Sequence, residues 1–581
     1  MPAPTLTSLP QHDPDPIARA ASLAAERDRY RYTWHRPEGV ASAAEVPRSD
    51  AFDLGVLTRY VGVQAMLAAH DMITTSAHRV GQLVRHHEVA TAAGQSFDER
   101  LAGAMKLVVR GGEHRATPSV ALKWFGADVP SLIAILAAHP ERHDELFAWQ
   151  RLGGANPFAL RRLETTDAAA PFDEAHFAAA AKAHAIDGTL ASAIDGKRLF
   201  HVDFRYLDGA RDGGLALEIP KRVFGARALF VQHLGPSPRF LPVAIQCVPS
   251  GPIFTPADGI GWSMAKLVLQ CADTHEQALT YHVAQCHFVM EAFTLACVRA
   301  FAPAHPIRKL LAPHTQYTLA IDAQVRDTLM KPGQDLEALM ATTLGQSILL
   351  VEDAMHAFDV NAAMPHADVK RRGLDDPGTL PHCPLRDDGL PVWSAIRRFV
   401  GEYVGLYYTS DADVVADSEA RAFGQELGAR WGGRLASIPE VTSVTTLVDL
   451  VSYAIWTASP LHAICNDSQL EFMACSANMP TALYGNAPTT SPTEADLLAL
   501  YAPEEISMSQ YAFFCGQTKL EENKLGEYPP DAFDDPRVAP LITRFVAELA
   551  SLDARIDARN ASRPAPYVWL RTQTMRASIH A

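Results

Sequence analysis

Trp262 to Phe293 read W-S-M-A-K-L-V-L-Q-C-A-D-T-H-E-Q-A-L-T-Y-H-V-A-Q-C-H-F-V-M-E-A-F. Apolar groups recur three and four residues apart along this run, as they do in a packed helix. Within it, His282 and His287 are spaced by five. Five residues of a regular α-helix turn through about 500°, so the two side chains would diverge by about 140°. They can share one metal only where the helix is locally widened. A π-type bulge does this, and such bulges recur at functional sites. Without one, the two rings are ordinary, partly buried histidines, and spacing alone does not choose between the readings.

Working outward, L461-H462-A-I-C-N466 places His462 and Asn466 four apart, on one face of a second helix. Three imidazoles and an amide oxygen suit iron, manganese or zinc. Residues 54–82, 262–301, 392–408 and 443–465 carry helical periodicity, broken by proline clusters such as Pro303/Pro306 and Pro529/Pro530. Strand-like material is scarce. Residues 226–234 (ARALFVQHL) and 240–248 (FLPVAIQCV) read as a small hairpin, with P-S-P between them. The expected fold is therefore mainly α, with one large helical domain over 46–581, a long central helix and a small β-hairpin. Residues 1–45 are expected to form a loosely attached N-terminal extension.

Composition narrows the function classes. The 581 residues are 48% hydrophobic, enough for a large core, and carry a net charge of −15. That sign disfavours phosphate backbones, so no nucleic-acid partner is expected. The first twenty residues hold no apolar stretch fit for a signal peptide, and no window reaches the roughly 18 apolar residues of a membrane helix. The eight cysteines form no C-x-x-C pair and read as buried free thiols. A cytoplasmic location is the expectation.

Several blocks then carry a family resemblance. P306-I-R-K-L-L-A-P-H314-T-Q-Y-T-L-A-I-D322 is similar to the lipoxygenase run H-P-x-x-K-L-L-x-P-H-x-R-Y-T-x-x-I-N. G251-P-I-F-T-P-A-D followed by Trp262 and Lys266, the R386-D-D-G-L-P-V-W block, S459-P-L-H-A-I-C-N466, N478-M-P-T481 and the terminal S578-I-H-A581 resemble further lipoxygenase blocks in family order. The resemblance spans roughly residues 200–581. It implies a lipoxygenase-type catalytic domain of the compact bacterial kind, without the N-terminal β-sandwich of animal and plant relatives. It implies one non-haem iron per chain, with manganese as the alternative, held by His282, His287, His462, Asn466 and the main-chain carboxylate of Ala581. Ala581 stands where the family usually ends in Ile, a loss of apolar packing on the order of 2 kcal/mol. Gln469 is implied to orient the ligands from behind; its usual partner position is Ala278 here, so either that link is missing or Gln277 substitutes for it.

The implied reaction abstracts hydrogen from a doubly allylic CH2 of a polyunsaturated fatty acid. Dioxygen then adds, giving a conjugated-diene hydroperoxide. Val325 stands at a position the family commonly fills with Ala or Gly, where side-chain size influences the site of oxygen addition. Gln324 and Met479 stand where some relatives carry a basic residue. Two anchors for a free carboxylate are thus missing, which keeps a second reading open: a hydroperoxide isomerase, or an enzyme acting on another acyl substrate. An inactive lipid-binding protein fits less well, because all five ligand positions hold competent groups. Arg299, Arg308 and Lys309 read as partners in ion pairs, His305 and His314 as structural hydrogen-bonders, and Asp387 and Asp388 as turn-capping acids. Transient contact with a membrane surface would need an amphipathic helix, for which 54–82 is a candidate, with a lid over the substrate tunnel as the alternative.

Overall fold

The computed structural model describes residues 7–35, 37–58, 132, 135, 138–165, 169–209, 220–517 and 523–580. The helix expected at 54–82 falls outside them from residue 59 onward, and so does Ala581.

The quoted run forms one continuous helical rod in three parts. Ile260–His275 is α-helical, Glu276–Phe288 is a π-helix, and Val289–Ala300 returns to α. Nearly every side chain of the first and third parts is buried, so the rod is the core's axis and not an amphipathic surface helix. Leu344–Ala357 packs along the π segment, Ser418–Gly428 along Val289–Ala300, and Leu390–Val404 against both Val444–Trp456 and Val538–Asn560.

The helix that carries His462 also has two parts. Thr457–Leu461 is π-helical and His462–Phe472 is α-helical. Pro460 lies inside the π turn. Its ring occupies the space an i→i−4 bond would need, and a widened turn accommodates that.

β1 (Tyr32–His35) and β2 (Glu38–Ala43) pair antiparallel on their own, and the predicted hairpin is present as β5 (Arg227–His233) and β6 (Arg239–Gln246), but it belongs to a larger antiparallel sheet. Its order is β3-β4-β5-β6-β7, with β3 at Arg161–Arg162, β4 at Leu199–Asp203 and β7 at Ile253–Phe254. The register of β5 on β6 shifts between Leu229 and Phe230, and Pro242 pairs with Phe230 at that point. Proline cannot donate to the ladder, so an irregularity is where a sheet admits it.

The N-terminal segment joins the body through the apolar core, where Leu9 and Val40 are buried and Tyr30 and Ala43 pack with Leu295 and Leu319, and through polar contacts. Arg19 donates to the Glu419 carboxylate at 2.9 Å, Arg308 pairs with Glu26, and the Ala43 amide donates to Glu291 Oε1 at 2.9 Å. The seven cysteines whose side chains are described are all buried and free. Among the described residues, no helix is long and apolar enough to cross a membrane.

Candidate metal centre and acyl cavity

The π-helix is what brings His282 and His287 together. Its i→i+5 bonding sets residues five apart nearly one above the other. Their ring centroids lie 5.0 Å apart, and His462 from the second helix closes the triangle at 5.5 Å and 5.4 Å. One nitrogen from each ring falls within 4.8 Å of the other two. Asn466, one turn after His462, lines the same cavity.

The electrostatics suit ligation. Burial pushes the pKa of His282 well below the ordinary imidazole value, and charge on His287 would push it further. His462 is lowered for the same reasons, by burial first and then by the facing rings. Neutral rings present lone pairs, which is the form a cation needs. His282 Nε2 is buried without a hydrogen-bond partner among the described residues. An orphaned ring nitrogen facing two other imidazoles is a misfit in a dry core and a fit for a metal ligand.

The rings are held from behind. The Gln469 amide lies 3.0 Å from His282 Nδ1 and also donates to Gln277 Oε1 at 3.3 Å. Gln277 Nε2 in turn donates to the Cys465 carbonyl at 2.7 Å, tying the π-helix to the His462 helix. His287 Nδ1 is 2.7 Å from Asp322 Oδ1. Asp322 escaped the sequence reading. Its signal was an acid set alone in the apolar run T-L-A-I-D-A-Q-V, at the end of a quoted block.

The three histidines open onto a cavity lined mainly by apolar groups, among them Ala278, Val325, Leu336, Met340, Phe514 and Ile579. Val325 is therefore on the wall. Gln324 and Met479 are not among the lining residues; the Met479 side chain is buried, and its carbonyl accepts from Gln510 at 2.9 Å. The free volume is about 80 Å³. Sites that enclose whole drug-sized ligands hold roughly 300–1,000 Å³, so this space takes only a short segment of an acyl chain.

The other singled-out residues serve the scaffold. Arg299 pairs with Glu426 and Lys309 with Asp534, at 2.8 and 2.7 Å. His305 meets Asp417 at 2.9 Å, and Lys266 and Trp262 both bond Asp144. Asp387 accepts from the Cys383 amide at 2.8 Å, whereas Asp388 is held by Arg559 and Arg563. His314 Nδ1–H donates to the Ala577 carbonyl at 2.8 Å, and Ser578 Oγ donates to the Gln316 carbonyl at 2.7 Å. These bonds, with His580 packed edge-on to Tyr317, bring the tail to the cavity, which Ile579 and His580 line.

A family profile described as Lipoxygenase matches residues 98–565. The chain belongs to the lipoxygenase family. It is thus an oxidoreductase that dioxygenates fatty acids. Over 513 residues it is 32% identical to the linoleate 9/13-lipoxygenase of Pseudomonas aeruginosa, covering 84% of this chain and 73% of that protein. It is 30% identical over 460 residues to human polyunsaturated fatty acid lipoxygenase ALOX15B, covering 76% of this chain and 67% of that one. The mainly α fold matches a lipoxygenase solved anaerobically in complex with arachidonate, with a TM-score of 0.85, 23% identity, and coverage of 99% of this chain and 83% of that chain.

Proposed function

We propose that this lipoxygenase holds one non-haem iron through His282, His287, His462, Asn466 and the main-chain carboxylate of Ala581, with manganese as the alternative ion. Its reaction is insertion of O2 into a polyunsaturated fatty acid at a bis-allylic CH2, yielding a conjugated-diene hydroperoxide. The observation that carries this reading is the triangle of buried imidazoles whose nitrogens lie within 4.8 Å of one another at the wall of an apolar cavity.

A bound iron ion, held by His282, His287, His462 and Asn466, would supply the one-electron chemistry that hydrogen abstraction needs. The chain's own residues do the rest. Val325, Leu336, Met340 and Ile579 exclude water and press the acyl segment into one pose, which lowers the entropic barrier to reaction. The amide relay through Gln469 and Gln277 and the Asp322 carboxylate fix the ligand rings before substrate arrives.

A second reading of the substrate has its own support. The charged side chain among the cavity's described lining is an acid, Asp335, and no Lys or Arg is among them. A free carboxylate gains nothing from that wall, so an esterified polyunsaturated acyl chain, or entry by the methyl end, suits it better. The test is to quantify iron and manganese in purified protein and follow diene absorbance with C18 and C20 acids and their methyl esters. Iron near one per chain with diene formation is expected. Absence of both metals sinks the reading, and bound iron with no diene from any substrate shifts it to the isomerase alternative. Esters outpacing acids would support the second substrate reading, and acid-only turnover would remove it.

A further inference from the structure

Asp322 stands where the lipoxygenase run quoted above carries Asn. Its Oδ1 lies 2.7 Å from His287 Nδ1, in the range of charge-assisted hydrogen bonds, and its side chain is fully buried. An amide at this position can present either a donor or an acceptor to the ring. A carboxylate only accepts. The proton is thereby kept on Nδ1, and the Nε2 lone pair is left to face His282 and His462.

The charge has a second consequence. One turn further on, Arg326 pairs with Glu291, donating to Oε1 at 2.9 Å, and its guanidinium also interacts electrostatically with Asp322. Two buried carboxylates thus face one guanidinium beside three buried imidazoles. Asp322 Oδ2 has no hydrogen-bond partner among the described residues. A desolvated carboxylate this poorly compensated is costly unless a cation sits nearby.

We propose that Asp322 is a positioning residue for the metal: it fixes the tautomer of His287, strengthens that ring as a donor, and favours the more oxidised ion. The inference rests on the metal centre proposed above.

The experiment titrates folded apoprotein, wild type and Asp322→Asn, with Fe(II) without air and with Zn(II). Residues that support a metal ligand typically contribute roughly 10–100-fold in affinity, and a loss of that size is expected for both ions. The ferric/ferrous potential of the variant should rise, and kcat should fall while KM changes less than about twofold. Asp322→Glu, which restores the charge, should recover part of the potential. Unchanged affinity and potential in Asp322→Asn overturn the proposal. If that variant does not fold, histidine 15N spectra of the zinc-loaded wild type decide: a protonated Nδ1 on His287 supports the assignment, and an unprotonated one overturns it. A wild type that binds neither ion overturns the metal reading and this inference with it, whereas failure of the Asn variant to differ overturns this inference alone.

Discussion

His282 and His287 sit on one π-helical segment, yet opposite kinds of partner hold them. His282 leans on a neutral amide relay, Gln469 to Gln277 to the Cys465 carbonyl, which crosses to the helix that carries His462. His287 leans on a carboxylate, Asp322, backed by the buried Arg326–Glu291 pair. The relay transmits geometry, because it spans the two helices whose spacing defines the cage. The carboxylate would transmit charge, because its partner ring is the proposed conduit to the metal. One site thus separates placement of the ligands from their donor strength.

The largest effect tests what both histidines share. His462→Ala removes the ring that closes the triangle with each of them. Metal content per chain should fall by more than about 100-fold relative to wild type at equal free iron, beyond the roughly 10–100-fold expected of supporting residues. Diene formation should vanish with it. Metal analysis after gel filtration reads the first and absorbance the second. Full occupancy in this variant would show that the triangle does not hold the ion.

The next effect compares the two supports directly. Gln469→Leu breaks the relay while keeping an apolar group of similar size. The expected loss of Fe(II) affinity is about 10-fold, smaller than for Asp322→Asn, and the metal potential should barely move. Isothermal titration and redox titration measure the pair. A potential shift in Gln469→Leu as large as in Asp322→Asn would erase the distinction between geometry and charge.

A third effect concerns the tail that approaches the cage from the chain's end. Burial lowers the His314 pKa from the ordinary 6.5 to about 4. The unfolded chain therefore binds the extra proton between those two values, and stability falls as pH drops through that window. The full difference is on the order of 3 kcal/mol at about 1.36 kcal/mol per unit. Protonation also costs His314 Nε2 its role as acceptor for the Tyr528 hydroxyl, 3.2 Å away. Thermal melts at pH 7, 5.5 and 4 should show His314→Gln with a shallower acid loss than wild type. Parallel curves would place the acid sensitivity elsewhere.

The cage was more legible in sequence than the cavity, for a physical reason. His282, His287, His462 and Asn466 emerged through the family blocks that carry them; the five-residue spacing said only that sharing one metal would need a widened helix, and the π segment provides it. The hairpin was legible because alternating apolar runs flank a turn, but the short strands β3, β4 and β7 that extend it carry too little pattern to read. Asp322 was invisible because its partner lies thirty-five residues back along the chain. The cavity wall draws Ala278, Val325, Leu336, Phe514 and Ile579 from separate segments, and apolar side chains carry no mark of which core they face. Only Val325 emerged, through resemblance. Gln324 and Met479, singled out by the same route, do not line the cavity.

The smallest effect on rate falls at Val325, where it should show instead in the products. Val325 is half-buried, begins the π turn Val325–Leu329 and lines the cavity that the three histidines share. Val325→Ala removes two methyl groups from that wall. Deletions of this size typically cost about 1 kcal/mol or somewhat more in a core, and less at a wall that is already open on one side. Metal binding should not change, because the side chain carries no ligating or hydrogen-bonding atom. Oxygen, however, gains room at one end of the delocalised radical. The ratio of positional hydroperoxides from linoleate should shift by several-fold while kcat stays within about threefold. Chiral-phase chromatography of the reduced products reads both position and face. An unchanged ratio would make Val325 a packing residue and leave control of oxygen to the larger side chains, with Phe514 the next to shorten.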